Sequence, residues 1–279
     1  MNSNIPAALI TGASSGIGKA FALALARRRT HHLLLAARRT ERLHVLADEI
    51  EQSWQKAQNG TPEAPLRVHV LPCDLCVPDA RLELFKSIES LGLFVQTLIN
   101  NAGFGSLGPF AEADPEWEAR MVQLNCAVPL LLTRHFIGEM YLRKSGCVIN
   151  VCSTAAFQPM PYMATYGSTK AFLLNFSLAV AAEAASKNVL VMAHCPGPTE
   201  SEFHLVVGLN EKIPHIRSMS AEVVVEETLD AAARGSNLVI NGFRNKLLAQ
   251  VSRFLPRSWQ AYAVERVLRQ TRGEHAAKS

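Results

Sequence analysis

The chain has 279 residues, of which 48% are hydrophobic and 19% charged, and its net charge is +4. A chain of this size and composition can bury a large core, which excludes intrinsic disorder. The small positive charge, without a zinc-finger pattern or a basic recognition helix, argues against nucleic-acid binding. Several of the six cysteines lie in apolar runs, and residues 1–6 do not resemble a signal peptide, so we expect free thiols and a cytoplasmic protein. No apolar run approaches the roughly 18 residues that span a bilayer.

Short apolar runs alternate with longer amphipathic ones along the chain. In chain order they predict strand 7–11, helix 16–29, strand 32–37, helix 40–56, strand 67–71, helix 79–91, strand 97–100, helix 115–143, strand 147–152, helix 163–186, and strands 189–195 and 238–241. The helix over residues 115–143 is expected to bend near Pro129. Residues 59–65 predict a loop, and residues 200–219 predict either a mobile lid or a plain surface loop. The alternation indicates a parallel sheet with helices on both faces.

The first strand runs directly into a glycine-rich turn that opens the first helix, Thr11-Gly12-Ala13-Ser14-Ser15-Gly16-Ile17-Gly18. Glycines let the backbone approach a pyrophosphate, and the unpaired N–H groups of the helix start face its charge. The alternative is a structural tight turn. Because the spacing is G-x-x-x-G-x-G, the sequence resembles the short-chain dehydrogenase/reductase family, whose signature is T-G-x-x-x-G-x-G. The resemblance covers residues 7 to about 241 and implies a Rossmann-like, doubly wound parallel α/β sheet of about seven strands.

The end of the second strand indicates which nicotinamide cofactor binds. An acid about 20 residues past the turn selects NAD, whereas arginine accommodates the 2′-phosphate of NADP. Here Ala37 occupies the expected acid position, and Arg38 and Arg39 follow it. A guanidinium can clamp a phosphate with two hydrogen bonds, so we expect NADP(H). The alternative is that the two arginines form only a solvated helix start.

Two further segments match the cofactor-binding pattern of the family. Asp74 and Leu75 follow the third strand, where the resemblance implies contacts to the adenine. They lie between Cys73 and Cys76, a C-x-x-C spacing that no second pair completes into a metal site. After the fourth strand comes the N-N-A-G sequence of the family, and the resemblance implies that its last three residues lie against the adenine ribose: Asn101, Ala102 and Gly103.

Tyr166 and Lys170 are four residues apart, which places both side chains on one face of a helix. A nearby ammonium lowers the pKa of a phenol, so the pair suits proton transfer. Ser153 follows the fifth strand, at the edge of the sheet where open α/β folds bind ligands, and could polarise a carbonyl. The resemblance implies a catalytic set in which Asn125 supports a proton relay through Lys170. Alternatively, Asn125 is a polar surface residue.

The sixth strand is followed by Pro196, Gly197 and Thr199, which resemble the family turn that contacts the nicotinamide. The mechanism expected is carbonyl reduction, with Ser153 binding the carbonyl oxygen, Tyr166 donating the proton and Lys170 also holding the nicotinamide ribose. We expect an apolar substrate because the candidate pocket residues are apolar. They are Phe104, Phe157, Met160, Pro161, Met163 and Phe203.

The sequence divides into a catalytic domain over residues 1–242 and a helical extension over residues 243–279. The extension holds eight Lys/Arg and two Glu among apolar residues, a pattern typical of a basic amphipathic helix. It could contact a membrane surface, cover the substrate pocket, meet a partner subunit or dock on its own domain. The family resemblance implies a homodimer or homotetramer. Three alternatives to a cytoplasmic NADP(H) reductase remain: a non-catalytic cofactor-binding sensor or scaffold, a peripheral-membrane lipid reductase, and an NAD-dependent alcohol oxidiser.

Overall fold

Seven parallel strands form one sheet in the order β3-β2-β1-β4-β5-β6-β7. The computed structural model describes residues 5–28, 32–57, 66–203, 207 and 218–276, and within these it describes no side chain at 253 or 270–276. The strands are β1 Ile5–Thr11, β2 His32–Ala37, β3 Val68–Pro72, β4 Leu93–Asn100, β5 Gly146–Val151, β6 Val189–Cys195 and β7 Leu238–Ile240. The expected doubly wound parallel α/β fold is confirmed.

Nine α-helices lie within the described part of the chain. They are α1 Gly16–Arg28, α2 Thr40–Ala57, α3 Pro78–Ser90, α4 Pro115–Val122, α5 Val128–Arg143, α6 Ala164–Ala184, α7 Ala221–Ala233, α8 Phe243–Val251 and α9 Arg257–Ala276. Helices α1, α2 and α7 contribute buried side chains to one hydrophobic cluster, and α3, α5 and α6 to another. The sheet therefore separates two helical layers.

Strand β1 shows why both faces of the sheet are covered. Ala8 and Ile10 pack in the cluster with α1 and α2, whereas Ala7 and Leu9 pack in the opposite one. Successive side chains of a strand point to opposite faces, so a strand buried on both sides is apolar at every position. This explains why β1 forms an uninterrupted apolar run.

The strand order reverses between β1 and β4, which are hydrogen-bonded neighbours although two strands separate them along the chain. A crevice opens outside the carboxyl ends of the strands where the order of an open α/β sheet reverses, and ligands bind there. The turns that follow β1 and β4 both lie at the carboxyl ends of the strands. The glycine-rich turn is therefore next to Asn101.

The single helix expected over residues 115–143 is interrupted. Helix α4 ends at Val122, a wide π turn covers Gln123–Ala127, and α5 begins at Val128. The interruption precedes Pro129, which has no N–H to donate to the carbonyl of Asn125 four residues earlier. The irregularity of this helix therefore lies in the turn before Pro129.

Helix α7 is the element that sequence patterning missed. Ser220 accepts a hydrogen bond from Val223 N and caps its start, and Gly235, with a φ of +73°, follows its end. These two signals, with apolar residues at helical spacing between them, could have located it. The predicted loop 59–65 and most of the predicted lid lie outside the described residues. Among those described, no helix is long and apolar enough to cross a membrane.

Candidate active site

A cavity of about 1220 Å³ opens at the carboxyl ends of the strands. It brings together nearly all the residues that the sequence predicts for the site. From those predictions the lining includes Gly12, Ser14, Ser15, Gly16, Ile17, Arg38, Arg39, Asp74, Leu75, Asn101, Ala102, Gly103, Ser153, Tyr166, Lys170, Pro196, Gly197 and Thr199. Gly18 and Asn125 stand behind this surface and support it.

The glycine-rich turn is packed so closely that side chains would not fit. Gly12 and Gly16 have φ values of +65° and +53°, in the left-handed region that favours glycine. A Cβ on Gly18 would lie 2.3 Å from the carbonyl oxygen of Gly12, so even alanine would force the turn open. This arrangement leaves the start of α1 exposed to the cavity as an anion-binding cradle.

Thr11 and Asn101 tie the turn to the end of β4. The Thr11 hydroxyl donates to Ile99 O at 3.1 Å and accepts from the backbone N of Asn101 at 2.9 Å. The Asn101 amide donates to Thr11 O at 2.8 Å. The side-chain amide of Asn101 therefore braces the turn, a role that the expected ribose contact did not include.

Arg39, more than Arg38, is integrated into the adenosine end of the cavity. Its guanidinium donates to Ser14 Oγ at 3.0 Å and to Ser15 Oγ at 2.7 Å. It also forms an ion pair with Glu202, which in turn pairs with Arg42. The hydrogen bond from Arg39 is the largest cause of the lowered pKa of the Glu202 carboxyl.

Sequence analysis missed both Arg42 and Glu202. Arg42 follows Arg39 at helical spacing, which was a usable signal. No local pattern distinguished Glu202, because its partners are more than 150 residues away along the chain.

Asp74 is held in place from two sides. One oxygen accepts from the backbone N of Cys76 at 3.0 Å, and the other accepts from Arg120 of α4. The carboxylate thus stands at the cavity wall already paired, and Arg120 is a third residue that sequence analysis missed. Burial raises the pKa of the neighbouring Cys73 thiol to about 11, so the C-x-x-C segment carries no reactive thiolate at neutral pH.

Ser153, Tyr166 and Lys170 converge on one wall of the cavity. Ser153 follows β5 and lies close enough to Tyr166 to lower the pKa of its phenol, and its Oγ accepts a hydrogen bond from Ala155 N at 3.1 Å. Lys170 donates from Nζ to Val151 O at 2.7 Å and lies 5.8 Å from the centroid of the Tyr166 ring. Tyr166 and Lys170 follow one another on α6 by one helical turn, as their spacing predicted.

The expected lowering of the Tyr166 pKa by Lys170 is not found. Although part of the Tyr166 ring faces the cavity, the surrounding protein raises its pKa to about 12, and the hydrogen bond from Ser153 opposes this rise only in part. Burial also lowers the pKa of Lys170. Desolvation therefore dominates over charge at this site, and Tyr166 holds its proton at neutral pH.

Asn125 lies in the π turn, is 1% exposed and positions the backbone after β4. Its amide nitrogen donates to Phe104 O at 2.9 Å and to Thr169 Oγ1 at 3.0 Å, and its oxygen accepts from Phe104 N at 3.2 Å. Of these partners, Thr169 precedes Lys170 in the chain and Phe104 follows Gly103 of the N-N-A-G segment. The structure thus excludes the alternative that Asn125 is a surface residue.

The substrate end of the cavity is aromatic and apolar. Phe203 packs against Tyr166 with ring centroids 5.1 Å apart, and Phe104 packs against Trp117 at 4.5 Å. Met160 and Met163 also line it, as expected, whereas Phe157 packs in a core cluster and Pro161 is not in the lining. Sequence analysis missed lining residues that come from distant parts of the chain: Leu107, Trp117, Leu124, Gln158, Val207 and Leu268.

Helix α9 forms part of this end of the cavity. Leu268 lines it, and one turn earlier Glu265 accepts a hydrogen bond from the Tyr162 hydroxyl at 2.9 Å. Tyr162 has a φ of +63°, an uncommon conformation for a bulky residue, and its carbonyl accepts from Gly108 N. The extension thus contacts its own domain and contributes to the cavity lining, whereas its expected contacts with a membrane or a partner subunit stay predictions.

The glycine cradle at the switch point of the doubly wound sheet therefore lies in one cavity with a wall formed by Ser153, Tyr166 and Lys170. The sequence matches the short chain dehydrogenase family over residues 6–211, and the chain belongs to that family.

Relatives of known sequence and structure agree with this membership. The very-long-chain 3-oxoacyl-CoA reductase of Pyrenophora tritici-repentis is 35% identical over 209 residues, which are 74% of this chain and 56% of that protein. The chain spans 60% and 56% of the length of the two curated relatives that it matches at 37% and 35% identity.

Two solved structures share the fold over nearly their whole length. A short-chain dehydrogenase from Sphingobium yanoikuyae in complex with NADPH has a TM-score of 0.77 and 28% identity, covering 89% of this chain and 94% of that one. A bulky-bulky ketone specific alcohol dehydrogenase from Comamonas testosteroni has a TM-score of 0.73 and 29% identity, covering 90% and 93%.

Proposed function

We propose that this protein is an NADP(H)-dependent oxidoreductase that interconverts a carbonyl and a secondary alcohol, and that its substrate is a lipophilic ketone or aldehyde. The observation that carries the proposal is the convergence of Ser153, Tyr166 and Lys170 on a cavity whose other end is the glycine cradle. A non-catalytic sensor or scaffold would need none of these three side chains, and all three are present.

The residues at the adenosine end fit a dinucleotide with a 2′-phosphate. The cradle left by Gly12, Gly16 and Gly18 suits a pyrophosphate, since a Cβ at any of them would lie under 3.0 Å from a neighbouring atom. Arg39 and Arg38 stand where a 2′-phosphate would need cations, with the Ser14 hydroxyl between the arginine and the turn. The solved relative from Sphingobium yanoikuyae, which is in complex with NADPH, supports the same cofactor.

Each catalytic side chain has a separate task. When bound, the nicotinamide would supply the hydride to a carbonyl carbon in one direction and accept it from an alcohol in the other. Ser153 binds the carbonyl oxygen and polarises it, while Tyr166, protonated at neutral pH, donates its proton to the developing alkoxide. Lys170, fixed by Val151 O, places its positive charge behind Tyr166, and we propose that it also holds the nicotinamide ribose.

Asn125 acts indirectly, by positioning neighbouring residues. Its three hydrogen bonds fix the peptide of Phe104 and the hydroxyl of Thr169. Thr169 is the residue that precedes Lys170 in the chain. We propose that the π turn around Asn125 forms the solvent side of a proton relay that ends at Lys170.

The lining of the substrate end supports an apolar substrate. Met160, Met163, Phe104 and Phe203 present flexible thioethers and aromatic rings, which suit large apolar ligands. A relative that reduces very-long-chain 3-oxoacyl-CoA and a neighbour specific for bulky ketones are consistent with this chemistry. A sugar would instead need several hydrogen-bonding side chains at this end.

The test begins with fluorescence titration of NADPH and NADH, followed by NADPH oxidation with a panel of bulky ketones. Tyr166→Phe should lower kcat by about 10²–10⁴-fold while leaving NADPH affinity unchanged, since proton-transfer groups contribute that much. Tyr162→Phe is the matched control, because it removes a hydroxyl from a neighbouring tyrosine that bonds Glu265 instead. A Tyr166→Phe variant with more than about a tenth of the wild-type rate would refute the assignment.

A homodimer or homotetramer is also proposed, from the family membership and from apolar side chains exposed on α5 and α6. Leu130, Leu131, Phe172 and Leu178 are each about two-fifths exposed. Such side chains on two long helices favour burial against another copy. Light scattering on the purified protein tests this, and a monomer at micromolar concentration would contradict it.

A further inference from the structure

Many of the exposed large apolar side chains in the described part of the chain belong to one short stretch, formed by α8, α9 and the turn between them. We call it the C-terminal apolar surface. Its members are large apolar side chains that are between 45% and 86% exposed: Phe243, Leu247, Leu248, Val251, Phe254, Leu255, Trp259, Tyr262 and Val267. A soluble domain rarely exposes so many large side chains in one short segment, and a concentration of this kind marks an interaction site.

Helix α9 packs on its own domain with a different face. Gln260 is buried and donates to Ser252 O and Leu255 O. Glu265 and Leu268, three residues apart, contact Tyr162 and line the cavity respectively. Trp259 and Tyr262, also three residues apart, are 67% and 76% exposed. The helix therefore contacts its own domain and still presents aromatic residues to the outside.

Positive charge surrounds these apolar residues. Among residues 243–269 the sequence has six Lys/Arg and one acid, Glu265. Glu265 is already engaged by Tyr162 and Arg269. Arg244, Lys246 and Arg266 are exposed on the same helices. An occupant of the C-terminal apolar surface must therefore offer both apolar contact and negative charge.

We propose that the C-terminal apolar surface docks the protein on an anionic lipid bilayer, with α8 and α9 lying in the headgroup region. Tryptophan and tyrosine favour that region because their rings are apolar at one end and polar at the other, and flanking Lys/Arg attract anionic headgroups. A second copy of the chain fits less well. A two-fold contact places the same patch on both subunits, so two strongly basic surfaces would face each other.

Docking in this way would bring the substrate cavity to the bilayer. Leu268 lines the cavity from the inner side of the helix whose outer side carries Trp259 and Tyr262. A lipophilic ketone dissolved in the bilayer could then enter without crossing water. Entry of the ketone from the bilayer rests on the proposed function, whereas docking of the protein on the bilayer does not.

Vesicle co-sedimentation of the full chain tests the proposal. We expect binding to vesicles of phosphatidylcholine mixed with phosphatidylserine, weak binding to phosphatidylcholine alone, and release at high salt. The double variant Phe254→Ser with Trp259→Ser should lose at least about tenfold in vesicle affinity, because two large side chains no longer insert. Leu142→Ser is the matched control, since Leu142 is 87% exposed but lies at the end of α5.

Each contrary outcome is informative. No binding to anionic vesicles, or binding that Leu142→Ser reduces as much as the double variant, overturns the proposal. If the double variant instead converts a dimer to a monomer in light scattering, the surface is an interface between copies and the proposal is wrong. NADPH titration of the same variants separates this result from the proposed function, because cofactor binding should be unchanged whether or not vesicles bind.

Discussion

The two ends of the cavity are built in different ways. The cofactor end is formed by short continuous segments at the ends of β1, β2 and β4, and backbone groups and glycines determine its shape. The substrate end is assembled from single side chains of distant segments, such as Trp117, Phe203 and Leu268. The cofactor end is determined by the spacing of residues within short sequence segments, and the substrate end is determined by tertiary packing. The predictions below test whether the two ends also behave independently in solution.

The largest effect is expected from pH, at the boundary between the two ends. Burial raises the pKa of Tyr166 to about 12, so the residue is a ready proton donor and a poor base near pH 7. The reductive kcat should be flat between pH 6 and 8, whereas the oxidative kcat should rise with pH, by up to about tenfold per unit, as the phenolate fraction grows. Initial rates in both directions measure this. An oxidative rate that is flat from pH 6 to 9 would mean that the phenolate already exists at neutral pH.

The second prediction separates the two arginines at the adenosine end. Arg39 contacts Ser14 and Ser15, so Arg39→Asp should weaken NADPH binding by about 10–100-fold, the loss expected for charge-assisted hydrogen bonds. NADH binding should change much less, because it lacks the 2′-phosphate. Arg38→Asp, made beside it, should have the smaller effect. The opposite order in fluorescence titrations would restore Arg38 as the principal phosphate ligand, as the sequence had suggested.

The same contrast explains how far the sequence could be interpreted. All seven strands were located within a few residues, because a strand buried on both faces is apolar throughout and turn residues bound it. The glycine turn, N-N-A-G and the Ser–Tyr–Lys set were found because each has fixed local spacing. Fold class is thereby confirmed, while the residue roles, the oligomer, the cytoplasmic location and the boundary at residue 242 stay predictions.

The features that could not be predicted from the sequence depend on contacts between residues far apart along the chain. Glu202 forms ion pairs with Arg39 and Arg42, which are more than 150 residues away along the chain. Leu268 lines the cavity although it belongs to α9, near the end of the described chain. The tuning of Tyr166 was misjudged for a related reason. The sequence supplied the nearby charge of Lys170 but not the extent of burial, and burial is the larger influence.

At the substrate end, Leu268→Ala should affect substrates and leave the cofactor alone. The variant removes part of an apolar wall. KM for a bulky ketone should therefore rise by about threefold to tenfold, because less apolar area is buried when the ketone binds. The kcat and the NADPH affinity should remain near wild type, because Leu268 belongs to α9, whereas the proposed catalytic and cofactor-binding residues belong to other elements. Val267→Ala is the control, since Val267 is 62% exposed on the same helix. Equal effects of the two variants would indicate a loss of helix stability instead of a loss of contact.

The smallest effect is expected at Glu202, which pairs with the arginines at the proposed adenosine end of the cavity. Its carboxylate pairs with Arg39 and Arg42, the cations nearest the proposed 2′-phosphate, and a hydrogen bond from Arg39 holds its pKa low. A carboxylate there competes with the phosphate for Arg39, so Glu202→Gln should tighten NADPH binding. The gain should be no more than about fivefold, because exposed ion pairs contribute little and are screened by salt. NADH binding should not change, and the difference should shrink as ionic strength rises. A Glu202→Gln variant that binds NADPH more weakly would show the reverse relation, in which the carboxylate orients Arg39 for the phosphate.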